Sequence, residues 1–347
     1  MAVAPSRKLV IHAPNVHQGG GMVLLKALLA SGSLLLERGF FDIRAKQFFQ
    51  TISRGQFYYV RPSLFSRLIT EIRLWWLVKP GDVVLCFHGL PPILPLAGRV
   101  VVFVQNRILV ESDSLDGYPF KTKIRLILER FWLRATSSHA QRYIVQTCSM
   151  AASLKSKLGR GVEVYITPFA SLCNSSCSDT AEPVKIEFDF SYVASGDPHK
   201  NHIRLIEAWK LLAEAGIKPS LALTVDPVRY PSIHSFISQA IARYSLRIVN
   251  FGELPQPSIV NLYRASSALI YPSTIESFGL PLLEAAHCGL PILAAELDYV
   301  RDVVEPVETF DPCSPVSIAR AVRRFIESPE PTADIYSPDD FLDEVFR

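Results

Sequence analysis

Short apolar runs alternate with longer amphipathic stretches along this chain, and this alternation limits the fold more than any other feature. In the first half, residues 8–12, 83–87, 100–104 and 143–145 have the composition of buried strands, and residues 23–36, 66–77 and 123–134 have the spacing of helices. Strands that alternate with helices are typical of parallel sheets covered by helices. The sequence therefore predicts an α/β fold.

The same alternation begins again after a polar stretch. Residues 171–182, SLCNSSCSDTAE, are small and polar without periodicity, which indicates a linker. Beyond it, strands are predicted at 191–194, 221–225, 247–250 and 268–271, and helices at 204–215 and 281–287. A chain of 347 residues is long enough for about two domains. We therefore predict two Rossmann-like domains, residues 1–172 and 186–347, with a linker over residues 173–185.

Composition excludes several classes of protein. Hydrophobic residues make up 49% of the chain and charged residues 20%, which is too apolar for a disordered chain or a coiled coil. No apolar run approaches the roughly 18 residues of a membrane span, and the N-terminus lacks the pattern of a secretory signal. Six scattered cysteines indicate a reducing cytoplasm, and Cys173 and Cys177 have no partner ligands at the spacing of a zinc site. A net charge of +3 gives no argument for nucleic acid as a partner.

The segment 269–289, LIYPSTIESFGLPLLEAAHCG, carries the strongest functional pattern. A buried strand is followed by a loop with Glu276, and FGLP then leads into a helix with Glu284. Ligands of open α/β sheets bind beside the helix that follows such a strand, where free amides and the helix dipole attract anions. A lone glutamate is usually a solvated charge. Two glutamates around FGLP instead indicate a nucleotide diphosphate site, with Glu284 at a ribose, Glu276 at the sugar beyond the phosphates, and the backbone of Phe278, Gly279 and Leu280 beside them.

The sequence resembles the retaining glycosyltransferases of group 1, also called family 4, which have the GT-B fold of two facing Rossmann-like domains. Glu276 and Glu284 match the family's E-x7-E element, and GELP at 252–255 and CGLPILA at 288–294 are similar too. The resemblance implies that Glu276 contacts the donor sugar and Glu284 the ribose. It also implies a donor site on the C-terminal domain, and the base is expected near residues 251–254, which include Gly252. No metal or other cofactor is expected, because no Asp-x-Asp-like ligand pair lies beside the site and a lysine can neutralise the diphosphate instead.

A second match is YVASGDPHKNHIRLIEAW at 192–209. The family has a lysine just before a helix there, and Lys200 occupies that position. The resemblance implies that this lysine neutralises a departing diphosphate, although a lone lysine is usually a solvated surface charge. The family's usual arginine is Ser195 here. Diphosphate binding is therefore expected to depend more on Lys200 and helix amides, helped by His199 or His202.

The N-terminal half matches the family less tightly. Three glycines follow the first predicted strand: Gly19, Gly20 and Gly21. They precede a helix that is expected to begin near Met22, which suits a donor contact at Gly20 and Gly21 and is nearly as typical of a flexible turn. At the ends of the next strands, the cleft between the domains is expected to contain polar residues that contact the acceptor: His88, Gln105, Asn106 and Arg107.

The helix predicted within residues 121–134, KTKIRLILERFWLR, combines positive charge with an apolar face. Five basic residues accompany a single acidic one, Glu129, and they are Lys121, Lys123, Arg125, Arg130 and Arg134. Such a pattern is more typical of an ordinary helix packed on its sheet. The alternative is an interfacial helix that brings an enzyme to a lipid-linked acceptor at the membrane surface.

The resemblance implies a glycosyltransferase of the hexosyltransferase class. It would transfer a sugar from a UDP- or GDP-sugar to a glycan or polyprenyl-linked glycan, in bacterial surface polysaccharide or lipopolysaccharide synthesis. A cytoplasmic protein is expected, and it would be peripheral at the inner face of the cytoplasmic membrane if the 121–134 helix is interfacial. Two alternatives stay open: a GT-B-fold nucleotide-sugar epimerase or phosphorylase, and a non-catalytic nucleotide-sugar-binding subunit. Release of a free sugar isomer, or dependence on inorganic phosphate, would indicate the first, and binding without turnover the second.

Overall fold

Two parallel sheets covered by helices make up the described part of the chain. The computed structural model describes residues 8–31, 36–49, 55–111, 115–159, 161–170 and 186–327. The first sheet ends at residue 166 and the second begins at residue 188. The prediction of an α/β fold with two Rossmann-like halves is confirmed. The predicted linker, with Cys173 and Cys177, lies outside the described residues, so the domain boundaries stay a prediction.

The first sheet has seven strands in the order β3-β2-β1-β4-β5-β6-β7, all parallel. Its strands are β1 (Leu9–Ala13), β2 (Leu36–Asp42), β3 (Gln56–Val60), β4 (Val83–Cys86), β5 (Arg99–Phe103), β6 (Arg142–Val145) and β7 (Val164–Ile166). Its helices are α1 (Gly19–Leu29), α2 (Lys46–Phe49), α3 (Leu64–Leu77), α4 (Arg107–Val110), α5 (Phe120–Ala135) and α6 (Cys148–Leu158). Helices α1 and α2 contribute to one core, and α3, α5 and α6 to the core on the opposite face.

The second sheet has six strands in the order β10-β9-β8-β11-β12-β13, also parallel. Its strands are β8 (Phe188–Tyr192), β9 (Leu221–Leu223), β10 (Ile248–Asn250), β11 (Ser266–Tyr271), β12 (Ile292–Ala295) and β13 (Glu308–Phe310). Its helices are α7 (His202–Glu214), α8 (Pro231–Tyr244), α9 (Gln256–Arg264), α10 (Leu280–His287), α11 (Asp298–Arg301) and α12 (Pro315–Glu327). Strand order reverses between β8 and β11, as it does between β1 and β4 in the first sheet, and such reversals open the crevices in which ligands bind.

Two expectations for the first sheet were wrong. The helix expected to begin near Met22 begins at Gly19, so the three glycines form its first turn. It ends at Leu29 rather than at Leu36, because Leu36 opens strand β2 and pairs with β1. Strands β2 and β3 were not predicted. The adjacent Phe40 and Phe41 of β2 are buried in the cores on opposite faces of the sheet, so β2 shows no alternation of apolar and polar residues.

The two sheets meet along their carboxyl edges. Ser277 donates a hydrogen bond from Oγ to the carbonyl of Gln105 across this boundary, at 2.6 Å. In addition, the backbone N–H of Ser149 donates to the Asp302 carboxylate at 2.8 Å. These contacts hold the loops of both halves around one cleft. In the described ranges, no helix combines the length and the apolar character that a membrane span requires.

Candidate functional site

A cavity of about 580 Å³ lies between the carboxyl edges of the two sheets. Its walls come from the loops after β1 and β5 on one side and after β8, β9, β10 and β11 on the other. The structure brings most of the predicted donor residues to this cavity: Lys200, Glu276, Glu284, Phe278, Gly279, Leu280, Gly20 and Gly21. These residues come from three separate parts of the chain.

Lys200 and Glu276 form a part-buried ion pair in the cavity wall. The Lys200 Nζ donates to Glu276 Oε1 at 2.5 Å, and Tyr271 donates its hydroxyl proton to the same oxygen at 2.9 Å. Burial raises the pKa of the Glu276 carboxyl. The positive charge of Lys200 and the hydrogen bonds that Glu276 accepts outweigh this effect and lower the pKa below its usual value. Glu276 is therefore a carboxylate at neutral pH.

The position of Lys200 follows from the turn that ends before α7. Asn201 has a left-handed backbone with φ of 61°, a conformation that asparagine tolerates better than most residues. Its Nδ2 donates to the carbonyls of Pro272 at 3.0 Å and Pro312 at 2.8 Å. The Lys200 carbonyl accepts the Tyr192 hydroxyl proton at 2.7 Å. The turn is thereby fixed to the end of β11, where Glu276 follows.

Glu284 lies on α10 and also lines the cavity. Its two carboxylate oxygens accept hydrogen bonds from Gln256 Nε2 at 2.8 Å and from the Tyr263 hydroxyl at 3.2 Å. Burial raises the pKa of this carboxyl, and the two hydrogen bonds lower it only in part. The carboxylate is held in one orientation and can accept further hydrogen bonds from a diol.

Two helix N-termini converge on the cavity. Helix α10 begins after Gly279, whose φ is +74°, and helix α1 begins at Gly19. Neither has a hydrogen bond from a capping side chain. The two ends nearly touch, since a Cβ added to Gly20 would lie 3.2 Å from Leu280 Cδ1. Unsatisfied amides and the positive ends of two helix dipoles therefore face the same volume, which suits an anion.

Ser195 lines the cavity without any positive charge. Its Oγ donates to the Asp197 carboxylate at 2.7 Å, and Tyr230 donates to the same oxygen at 3.0 Å. An arginine nevertheless reaches this part of the cavity from another loop. Arg229 lies after β9, packs on the Tyr230 ring, and enters no ion pair within the described ranges.

Neither of the two histidines expected to help the diphosphate lines the cavity. His202 is buried and donates from Nε2 to the Ser195 carbonyl at 2.9 Å, and His199 lies 2.7 Å from the Tyr118 hydroxyl through Nδ1. Burial, helped by the nearby Lys200 charge, lowers the pKa of each to about 4. Both are neutral near pH 7, so the expectation that they supply positive charge was wrong.

Of the three neighbouring residues expected to contact the acceptor, Gln105 to Arg107, only Gln105 lines the cavity. The Gln105 Nε2 donates to the Phe87 carbonyl at 2.6 Å. Asn106 instead caps α4, because its Oδ1 accepts the Ile108 N–H at 3.1 Å. Arg107 pairs with Glu111 and donates at 3.4 Å to the backbone carbonyl of Glu276, so it ties the Glu276 loop to the first domain.

His88 and Gly252 also lie outside the lining of the cavity. The His88 ring packs edge-on against His12, with centroids 4.8 Å apart, and its Nδ1 donates to the His12 carbonyl at 3.2 Å. Its Nε2 is buried, so the expectation that His88 faces the cleft was wrong. Gly252, with φ of +73°, turns the chain after β10, and the adjacent Glu253 and Leu254 line the cavity in its place.

Several lining residues were missed by reasoning from sequence. Besides Arg229, they include Lys26, Thr224, Tyr230 and Gln256. Thr224 and Arg229 follow β9, and β9 lies next to β8. The rule that ligands lie beyond the carboxyl ends of strands near a reversal would have found this loop if the strand order had been known. Within the described parts of the chain, no group of three or more histidine, cysteine or acidic side chains is arranged to hold a metal ion.

Residues 182–337 match the sequence model of the family described as glycosyl transferases group 1. The second half of the chain is therefore similar to this family. The resemblance carried by Glu276, Glu284 and Lys200 pointed to the same group.

Curated relatives match over parts of their length. O-antigen chain mannosyltransferase B from Escherichia coli is 30% identical over 119 residues, which are 33% of this chain and 30% of that protein. Serotype-specific mannosyltransferase WbdA from Escherichia coli is 24% identical over 258 residues, which are 66% of this chain and 30% of that protein. The chain thus spans about a third of the length of these relatives.

Solved structures match over almost the whole chain. The crystal structure of HepE from Anabaena in complex with UDP and glucose has a TM-score of 0.68 at 17% identity, covering 92% of this chain and 90% of that one. The apo form of the lipopolysaccharide outer core galactosyltransferase WaaB has a TM-score of 0.60 at 14% identity, with the same coverage of both chains. These similarities identify the fold as GT-B, as the sequence predicted.

Proposed function

We propose that this protein is a retaining glycosyltransferase that transfers a sugar from a UDP- or GDP-sugar to a glycan or polyprenyl-linked glycan. The observation that carries the proposal is the cavity between the domains, where the Lys200–Glu276 pair, Glu284 and the N-termini of α1 and α10 lie together. The relatives named above include O-antigen mannosyltransferases, and HepE binds UDP and glucose. These names support a role in bacterial surface polysaccharide or lipopolysaccharide synthesis.

The diphosphate is the group that the cavity suits best. Lys200 and Arg229 supply positive charge, and the two helix N-termini supply amide donors. Charge that is in position before the reaction stabilises a departing diphosphate without reorganisation. Lys200 must then leave Glu276 in part, so donor binding frees the Glu276 carboxylate for the sugar. Glu284 accepts hydrogen bonds from the ribose.

The sugar is transferred with its configuration retained. The bond between sugar C1 and the diphosphate oxygen breaks, the acceptor hydroxyl forms the new bond to C1, and its proton passes to the departing diphosphate. Attack and departure take place on one face of an oxocarbenium-like sugar, so no carboxylate acts as a covalent nucleophile, unlike in retaining hydrolases. We propose that no metal takes part, because lysine, arginine and helix amides supply the charge that a metal would otherwise supply.

The acceptor occupies the side of the cleft formed by the first domain. Gln105 is its contact in this proposal, since the Gln105 Oε1 is buried without a hydrogen-bond partner among the described residues and lies beside Gly21. A buried acceptor atom of this kind is costly unless a ligand or water satisfies it. A hydroxyl of the acceptor glycan would do so. We place the reaction at the inner face of the cytoplasmic membrane.

The test is a thermal-shift and hydrolysis screen with UDP-, GDP-, ADP- and dTDP-sugars. We expect one donor class to raise the melting temperature and to be hydrolysed slowly. Glu276→Gln and Lys200→Ala should each lower turnover about 100-fold or more, the usual effect of losing one transition-state contact. The exposed residues Glu214 and Lys218 provide matched controls, Glu214→Gln and Lys218→Ala, which should keep normal rates.

Each alternative has its own signature in the same screen. Near-normal turnover of either cavity variant would contradict the roles assigned to Glu276 and Lys200. Release of an isomerised sugar, or turnover that requires inorganic phosphate, would replace the transferase by an epimerase or a phosphorylase. Binding of a donor without turnover, even with acceptor present, would indicate a non-catalytic subunit. An unchanged rate after treatment with EDTA is expected, and loss of activity that Mg²⁺ or Mn²⁺ restores would overturn the metal-free mechanism.

A further inference from the structure

Helix α3 exposes most of its large apolar side chains, and two of its three buried residues are polar. The buried residues are Thr70, Glu71 and Leu74. Large apolar side chains are exposed on the opposite side: Leu64, Phe65, Leu68, Ile69, Ile72, Trp75 and Trp76. Leu64 is 86% exposed and Trp76 76%. A helix that only covers a sheet has the reverse arrangement, and large exposed apolar patches mark interaction sites.

Helix α5 continues this apolar surface. Its exposed large side chains are Phe120, Ile124, Ile127, Leu128 and Phe131. The segment 91–93 joins the two helices, because Glu71 of α3 accepts the Ile93 N–H at 2.9 Å and Trp132 of α5 donates to the Pro91 carbonyl at 3.0 Å. We call the surface formed by α3, residues 91–93 and α5 the α3–α5 face.

The α3–α5 face also concentrates positive charge. Residues 61–79 and 119–134 contain nine basic and two acidic residues, an excess of seven, whereas the net charge of the whole chain is only +3. The rest of the chain is therefore net negative. The two acidic residues, Glu71 and Glu129, are turned inward, with only 4% and 13% of their side chains exposed. The apolar surface is thus edged by basic residues.

This face adjoins the proposed active site. In a parallel sheet, each connecting helix begins near the carboxyl edge of the strand before it, so α3 and α5 begin on the side of the cleft. Tyr118, just before α5, touches His199 of the second domain with its hydroxyl 2.7 Å from Nδ1. A flat surface bound to the α3–α5 face would therefore lie beside the opening of the cleft.

We propose that the α3–α5 face docks the protein peripherally on an anionic lipid bilayer. Exposed tryptophans and phenylalanines insert at the boundary of headgroups and acyl chains, and the surrounding lysines and arginines attract anionic headgroups. The charge pattern favours this occupant over an apolar protein groove. The proposal includes the helix already suspected from sequence and adds α3, which carries more of the exposed apolar side chains. It does not depend on the chemistry in the cleft.

The test is flotation of the full chain with vesicles of phosphatidylcholine alone and of phosphatidylcholine with 30% phosphatidylglycerol. We expect flotation with the anionic vesicles and at least tenfold less with the neutral ones. Tryptophan emission should shift to shorter wavelength on binding, because Trp75 and Trp76 are exposed whereas Trp209 is buried. High salt should weaken the binding through screening of the charges.

Paired variants separate this face from general surface effects. Phe65→Ser with Trp76→Ser, and Arg73→Glu with Lys121→Glu, should each reduce flotation at least tenfold. The controls are Val307→Ser with Val316→Ser, which are also exposed apolar residues, and Lys218→Glu with Arg320→Glu, all on the second domain. These should float like the original protein. All four variants should keep a cooperative melting transition near that of the original protein, which shows that they are folded.

Other occupants of the face give different results. Absence of flotation with anionic vesicles, or equal loss in the control variants, would overturn the proposal. A concentration-dependent dimer that Phe65→Ser with Trp76→Ser abolishes, without vesicle binding, would assign the face to a second copy of the chain. Flotation that appears only after residues 328–347 are removed would assign it to that acidic segment. None of these outcomes would affect turnover of the donor, so none would count against the proposed function.

Discussion

At the scale of single residues, hydrogen-bond partners hold the two carboxylates of the site in fixed orientations. Glu276 is held by Lys200 and Tyr271, and Glu284 by Gln256 and Tyr263. Arg229 differs, because it lines the cavity without an ion pair in the described structure. A diphosphate can therefore bind Arg229 without first breaking an ion pair.

Replacement of Arg229 by glutamine should weaken binding of a nucleoside diphosphate about tenfold. The reason is the loss of a charge-assisted hydrogen bond, whose contribution is on the order of 1.5 kcal/mol. Isothermal titration with UDP or GDP, and with the corresponding nucleoside, measures this, and the affinity for the nucleoside should not change. Arg243→Gln is the matched control, since Arg243 is exposed and also packs on a tyrosine ring. Equal diphosphate affinity in both variants would contradict the role of Arg229.

At the scale of secondary-structure elements, the start of helix α10 determines where the donor amides lie. Gly279 has a left-handed backbone, and a Cβ added there would lie 3.0 Å from Leu282 Cδ1. Leu282 is fully buried in the core. The backbone at Gly279 thus packs tightly against the buried Leu282 side chain. This contact holds the N-terminus of α10 beside the cavity.

Gly279→Ala should destabilise the protein by about 1–2 kcal/mol and should also diminish the thermal shift given by the donor. The backbone penalty of a left-handed alanine accounts for the first effect, and displacement of the α10 N-terminus for the second. Gly289, at the other end of α10, has φ of +68° and open space around it. Gly289→Ala should therefore show the stability loss alone. If both variants respond to the donor equally, the close approach at Gly279 has no part in binding.

At the scale of the whole molecule, both domains bury neutral histidines. Burial lowers the pKa of His88 and of His202 to about 4, against 6.5 for an exposed histidine. These groups bind protons in the unfolded chain at a pH where the folded chain leaves them neutral. Their contribution to stability is therefore complete above pH 6.5 and is lost as the pH falls from 6.5 towards 4.

The free energy of unfolding should accordingly fall between pH 7 and pH 5. Each buried histidine contributes on the order of 2 kcal/mol to this fall, from the 1.36 kcal/mol that corresponds to one pKa unit. In His202→Gln, the amide can still donate to the Ser195 carbonyl but cannot titrate, so the fall should be smaller by about that amount. Urea titrations at the two pH values measure it, with His234→Gln as a control. An unchanged pH dependence in His202→Gln would show that His202 titrates normally.

The sequence by itself determined the α/β class and the two halves, and it predicted Lys200 and the Glu276–Glu284 pair after separate strands. Each of these positions is local, since a strand, a turn and the start of a helix place a few consecutive residues at one edge of a sheet whatever lies next to it. Strand β2 escaped prediction because burial on both faces removes the alternation of apolar and polar residues.

Only the tertiary structure decided which loops share the cavity and which helix faces stay uncovered. Arg229 reaches the cavity because β9 pairs with β8, and Gly20 meets Leu280 because the domains face each other. His88 turns away because its ring packs against His12. In the sequence, helix α3 looks like an ordinary amphipathic helix. In the structure, Glu71 is buried and accepts the Ile93 N–H, so the apolar side of the helix points outward. Periodicity shows that a helix has two faces, but contacts between residues far apart in the chain determine which one is buried.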